Sequence, residues 1–153
     1  MKLHLSIKVT LYKECMSIVR QRLEEIESRL AAIKEARDNE TKSSVGDKYE
    51  TGRAMMQMEE DNFSRQLVQA REVVKRLSTI APNKTYEKAA LGSLISTTKG
   101  LYFLAIGLGK VVVDGKTYFC ISVDSPIGKV LLNKQPGDTV SFNQNEIRII
   151  EIL

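Results

Sequence analysis

Apolar residues recur at steps of three and four through the first half of the chain, then give way to short alternating runs after Pro82. The first series is Leu11, Cys15, Val19, Leu23, Ile26, Leu30 and Ile33, with Arg22, Glu25, Arg29 and Glu35 lying off it. Those steps draw one apolar stripe along a helix. A second stripe runs Met56, Phe63, Leu67, Ala70, Val74 and Leu77. Glu59 and Glu60 interrupt it, so the turns near them are expected to pack less well. Neither helix stays folded alone in water. Joined by a polar turn, they bury each other's stripes as an antiparallel coiled-coil hairpin. At ~1.5 Å per residue, an arm of about 30 residues reaches roughly 45 Å.

Between the stripes, the small polar residues of Asn39-Glu40-Thr41-Lys42-Ser43-Ser44-Val45-Gly46 predict a loop. Ala81-Pro82-Asn83-Lys84 ends the second helix, because proline cannot continue it. Strands are expected at 94–98, 102–106, 110–113, 117–123, 139–142 and 147–152. Asp114-Gly115 predicts a type I′ hairpin turn. Ser125-Pro126 supplies the N-cap and first position of one short helix through Leu132. Gln135-Pro136-Gly137-Asp138 turns the chain into the last two strands. The expected fold class is α+β. A two-helix hairpin occupies 1–81 with an acidic tip near 38–52, and a mostly antiparallel β domain with one short helix occupies 82–153.

Composition narrows the function. The chain has 153 residues, 42% hydrophobic and 27% charged, ordinary for a soluble protein. No apolar run approaches the ~18 residues that cross a bilayer, so no membrane partner is expected. Residues 1–9 alternate Leu3, Leu5, Ile7 and Val9 with polar residues. They lack the apolar block and cleavage site of a secretory signal, which makes the cytoplasm the expected location. Cys15 and Cys120 fall in different predicted modules, without metal-ligand spacing, and read as buried reduced thiols. His4, the single histidine, has no partner in sequence and reads as solvated or capping.

The net charge of +4 is unevenly spread. Between 37 and 61, four cationic residues face seven acidic ones, whereas Arg65, Arg71, Lys75 and Arg76 outweigh Glu72 just beyond. An acidic tip above a basic arm is not the continuous basic face that grips duplex DNA, so no stable duplex binding is expected.

Asp47 and Glu50 are the residues in which chemistry concentrates. Asp-x-x-Glu at a helix start is a capping-box pattern, in which each side chain satisfies the other residue's backbone N–H. Against that reading, Gly52 falls in the first turn, where it costs ~1 kcal/mol relative to alanine. Two carboxylates at the end of a long arm also suit a hard cation such as Mg²⁺. Two ligands are too few to hold the ion alone, so it would be shared with another macromolecule, and no intrinsic cofactor is expected. Both readings stand on the sequence. Tyr49 beside them can stack on a nucleobase or pack on its own helix.

These residues resemble a known family, the Gre-type transcript cleavage factors of bacterial RNA polymerase. Ile121-Ser122-Val123-Asp124-Ser125-Pro126-Ile127-Gly128-Lys129 looks like the family's Ser-Val-Asn-Ser-Pro-Ile-Ala segment, followed by a short helix and a Gly-Asp turn, here Gly137-Asp138. Leu91-Gly92-Ser93 and the closing segment 147–153 are similar to the family's corresponding parts, and Gly46-Asp47-x-x-Glu50 is similar to its tip motif Gly-Asp-Leu-x-Glu-Asn-Ala-Glu. The resemblance implies an FKBP-like fold for the C-terminal domain. It implies a hairpin that enters the polymerase's secondary channel and meets the RNA 3′ end there. Asp47 and Glu50 would be auxiliary catalytic residues, helping to hold a Mg²⁺ shared with the polymerase while backtracked RNA is cleaved. Lys48, Tyr49 and Arg53 would make tip contacts, and Ser125, Pro126 and Ile127 would contact the partner.

In that reading the polymerase is the enzyme and this chain a monomeric accessory. The sequence departs from the motif at Lys48, where the family has Leu, and at Thr51-Gly52-Arg53, where it has Asn-Ala-Glu. These departures keep open a channel-binding regulator without cleavage activity. A coiled-coil tether associating through Met55, Met56 and Met58 ranks lower. So does a prolyl isomerase, for which the absence of Trp and 6% aromatic content leave little to line a pocket.

Overall fold

The computed structural model describes residues 2–42 and 46–153, with side chains described outside 40–50. Two long helices come first, α1 (Leu5–Lys42) and α2 (Gly46–Ser78). Six strands and a third helix follow: β1 (Leu94–Thr97), β2 (Gly100–Leu104), β3 (Gly109–Val113), β4 (Lys116–Ile121), α3 (Pro126–Leu131), β5 (Thr139–Phe142) and β6 (Asn145–Ile152). All six strands fall where the alternation put them, within a residue or two.

The helices are longer than their stripes. α1 has 38 residues and α2 has 33, spans of roughly 57 and 50 Å. The loop expected from Asn39 is helical as far as Lys42. Once a helix exists, each further residue adds a hydrogen bond at little entropic cost, so weak helix formers extend it. At the other end, the alternation of Leu3, Leu5, Ile7 and Val9 is not extended beyond the first residues, for α1 starts at Leu5. Its inward face there is Lys8, Leu11, Cys15 and Val19, all buried, at steps of three, four and four.

The chain forms two compact units, Met1–Ser17 with Arg76–Leu153, and Ile18–Lys75. The second is the helical hairpin. Val19, Leu30 and Ile33 are buried in it, while Leu23, Ile26, Phe63, Leu67, Ala70 and Val74 are half-buried, as two helices alone cannot enclose a stripe. Polar contacts cross the seam. Arg37 pairs with Glu60, Arg71 Nη2 lies 3.8 Å from Glu27 Oε1, and the Arg29 guanidinium stands 5.9 Å from the Phe63 ring centre. Glu60, an interruption of the stripe in sequence, therefore reaches across to a cation on the facing helix.

In the other unit the strands form one sheet of order β3-β4-β2-β1-β6-β5. The expected antiparallel arrangement holds except at one pair: β2 and β4 run parallel, Leu101 opposite Tyr118 through Leu104 opposite Ile121. The sheet is therefore mixed. The cause is the tight β3–β4 hairpin, whose Asp114 and Gly115 both take positive φ, 51° and 76°, as a type I′ turn requires. β3 lies antiparallel on the far side of β4, which leaves β4 to run along β2. A second two-residue turn, Asn143-Gln144 with φ of 48° and 65°, joins β5 to β6. It contains no glycine, so its type is not marked by residue choice. Ala89, Ile95, Leu104, Leu131, Val140, Ile147 and Ile149 form the core, with Leu131 coming from α3.

The first turns of α1 and the residues just before them are tied into this unit. The Leu3 N–H donates to Glu151 Oε2 at 2.9 Å, and the Tyr12 hydroxyl donates to the Leu77 carbonyl at 3.0 Å.

Candidate functional site

The side chains of Asp47, Lys48, Tyr49 and Glu50 lie outside the described residues, and with them both the capping and the metal-ligand readings. What is described is their backbone. α2 begins at Gly46, so Asp47 sits inside its first turn rather than ahead of it, with Glu50 three positions on. Arg53 follows one turn later and is exposed.

The acidic surplus next to them is partly tied up. Glu60, 13% exposed, pairs with Arg37, whose Nη2 also lies 3.7 Å from Asp38 Oδ1. The Gln57 amide donates to Asp61 Oδ1 at 3.0 Å, one turn along α2. Among the described residues between 37 and 61, Asp38, Glu60 and Asp61 thus have partners within the hairpin. Among the described residues, no group of three or more His, Cys, Asp and Glu side chains is placed to hold a metal ion. Met55 and Met58 are among the most exposed apolar side chains, at 67% and 72%.

The second candidate surface is the start of α3. Ser125 is its N-cap, with extended backbone and Oγ accepting from the Gly128 N–H at 3.0 Å. The same hydroxyl donates to the Ser122 carbonyl at 2.6 Å. Pro126 occupies the first helical position, where its missing N–H costs nothing. Gly128 is required sterically: a Cβ there would stand 2.0 Å from the Ser122 carbonyl oxygen. Ile127 is half-buried against the core, and Pro126 is exposed. Of the three residues proposed to contact a partner, two have structural tasks and Pro126 presents the open surface.

Two features were not legible in the pattern. Lys8 is completely buried. Its ammonium donates to the carbonyls of Lys84 at 2.6 Å and Leu153 at 3.0 Å, and lies 4.6 Å from the Tyr86 ring centre. Burial lowers its pKa from 10.5 to about 8. The only sequence signal was position, since Lys8 stands three residues before Leu11 on the same helical stripe.

The cysteines, read as buried free thiols, are that. Yet they do not belong to separate modules. Cys15 on α1 and Cys120 on β4 lie in one compact unit with their sulfurs 3.5 Å apart. The hydrogen bond with Cys15, and then burial, push the Cys120 thiol far up. The hydrogen bond from Cys120 favours the thiolate at Cys15 and lowers its pKa.

In chain order, a two-helix hairpin precedes a mixed six-stranded sheet with one capped helix. Residues 108–153, from the end of the β2–β3 connection through β6, match the family model described as transcription elongation factor, GreA/GreB, C-terminal. Over that segment the chain is similar to the C-terminal domain of the GreA/GreB family. A solved structure titled as that of the transcription factor Gfh1 is similar at 20% identity, covering 92% of this chain and 94% of that one with a TM-score of 0.36. No curated protein matches. Among the described residues, no helix is long and apolar enough to cross a membrane.

Proposed function

We propose that this chain is an accessory factor of bacterial RNA polymerase that inserts its helical hairpin into the secondary channel and promotes cleavage of backtracked RNA. The observation that carries the reading is the GreA/GreB C-terminal match over 108–153. It stands beside a hairpin whose second helix opens Gly46-Asp47-Lys48-Tyr49-Glu50. In this reading Asp47 and Glu50 offer hard oxygen donors, a donor set that fits Mg²⁺ but is too small to retain it alone. The ion, when shared with the polymerase, supplies charge stabilisation and an activated water. The chain's own contribution is to carry the two carboxylates to the RNA 3′ end and hold them three helical positions apart. Lys48, Tyr49 and Arg53 contact the channel or the RNA, and Pro126 contributes to docking of the β domain. The polymerase remains the enzyme.

The test is a halted, backtracked elongation complex supplied with the protein. The expected result is shortening of the transcript from its 3′ end, abolished by Asp47→Ala while polymerase binding persists. Cleavage that is unchanged in Asp47→Ala removes the proposed role of the tip.

A second reading, a channel occupant without cleavage, is favoured by Lys48 and the exposed Arg53 beside the carboxylates. Their positive charge opposes a cation at the same place. This reading expects binding, and inhibition of initiation or competition with other channel factors, that survive loss of both Asp47 and Glu50.

A further inference from the structure

We infer that Cys15 and Cys120 form a reversible intramolecular disulfide, an oxidation-responsive clamp between the first turns of α1 and strand β4. The inference is independent of any role at a polymerase. Its basis is geometry. The two sulfurs are 3.5 Å apart, both side chains are fully buried, and 105 residues separate them in sequence. A disulfide has an S–S length of about 2.05 Å, so the sulfurs must approach by roughly 1.5 Å, a distance that small rotations of two side chains supply. The two thiols hydrogen-bond each other. A pair placed in this way oxidises to a cross-link in preference to separate products.

The oxidant class is a hydroperoxide. Cys15 loses its proton to solvent, and its thiolate attacks the terminal oxygen of the hydroperoxide. The O–O bond breaks, an alcohol leaves with the proton, and Cys15 becomes a sulfenic acid. The Cys120 sulfur, giving up its proton, then displaces the hydroxyl from Cys15, and water leaves as the S–S bond forms. Two thiols and one hydroperoxide give one disulfide, one alcohol and one water. Access requires local opening, since neither sulfur is exposed. That makes the response slow in the native state and selective for sustained exposure.

The bond would reinforce contacts already present along residues 3–12: Leu3 with Glu151, Lys8 with Lys84 and Leu153, and Tyr12 with Leu77. It closes a loop that contains the entire hairpin, so its effect on the unfolded chain is large.

The full-length protein tests this directly. It is exposed to tert-butyl hydroperoxide, quenched, unfolded without reductant and examined by intact mass, thiol titration and peptide mapping. The expected result is a monomer lighter by two hydrogen atoms, with no titratable thiol and a Cys15–Cys120 cross-linked peptide. Dithiothreitol reverses all three. The oxidised form should melt about 10 °C higher than the reduced form. Met55 and Met58, both highly exposed, report by sulfoxide formation that the oxidant has acted. Titratable thiols that persist when exposure is extended well beyond complete oxidation of those methionines overturn the inference. So do oxygen adducts on separate cysteines, covalent dimers, or a cross-link that leaves the melting temperature unchanged or lower.

Discussion

Lys8 carries a pH signature of its own. Its folded pKa of about 8 lies below its ordinary 10.5 because burial disfavours the charge. Between those values the unfolded chain binds more protons than the folded one, so stability rises with pH across the window. Lys8→Met does not titrate there. Relative to that variant, the wild type should gain up to roughly 3 kcal/mol between pH 8 and 10.5. The carbonyls of Lys84 and Leu153 favour the charged form and set that figure as a ceiling. Urea midpoints of both proteins at pH 7.5 and pH 10 measure it, and a wild type that loses ground at high pH contradicts the assignment.

At the start of α3, Ser125→Ala removes the cap and the bond to Ser122, and should cost about 1–2 kcal/mol. Gly128→Ala, which drives a methyl onto the Ser122 carbonyl, should cost at least as much, about 1–3 kcal/mol. Chemical denaturation of the two variants decides both. The capped start of α3 was readable in sequence because capping is local. Lys8 was not, since its acceptors come from 76 and 145 residues away.

Among the elements, the hairpin shows what a hydrophobic stripe can and cannot reveal. The steps of three and four located both helices and named their inward residues. They missed both ends of α1, because helix propagation beyond a stripe follows backbone hydrogen bonding rather than side-chain pattern. They also could not show that Glu60 pairs with Arg37, since an acid within a stripe reads as an interruption whether or not a cation faces it. A double-mutant cycle of Arg37→Ala and Glu60→Ala should return a favourable coupling of about 1 kcal/mol, the upper range for exposed pairs, because Glu60 is half-buried. A coupling indistinguishable from zero would make the contact incidental. Gly52 lies within α2, and Gly52→Ala should stabilise the hairpin by about 0.5–1 kcal/mol. In the β unit, hairpin turns with glycine were legible. The parallel β2–β4 pairing was not, because strand order depends on which edge a hairpin joins and not on alternation within a strand.

For the molecule as a whole, fold and candidate function rest on different kinds of information. The fold follows from repeating patterns along the chain, which is why its class is legible in the sequence. The candidate site rests on two carboxylates in one helical turn, and pattern alone left them between capping and ligation. Charge separates the alternatives, given the proposed role at the polymerase. Arg53 stands three helical positions after Glu50, and Lys48 is adjacent to Asp47 in the chain. In high dielectric each such cation opposes a bound divalent ion by about 1 kcal/mol. The double variant Lys48→Leu, Arg53→Glu removes both charges and adds an acid. If the carboxylates act through a shared Mg²⁺, transcript cleavage at limiting Mg²⁺ should rise by roughly tenfold or more, with the gain shrinking as Mg²⁺ approaches saturation. If they act only as a helix cap, the variant should leave the Mg²⁺ dependence where it was and change thermal stability alone. Measuring RNA length against Mg²⁺ concentration for wild type and variant, with melting curves of each, separates the two outcomes.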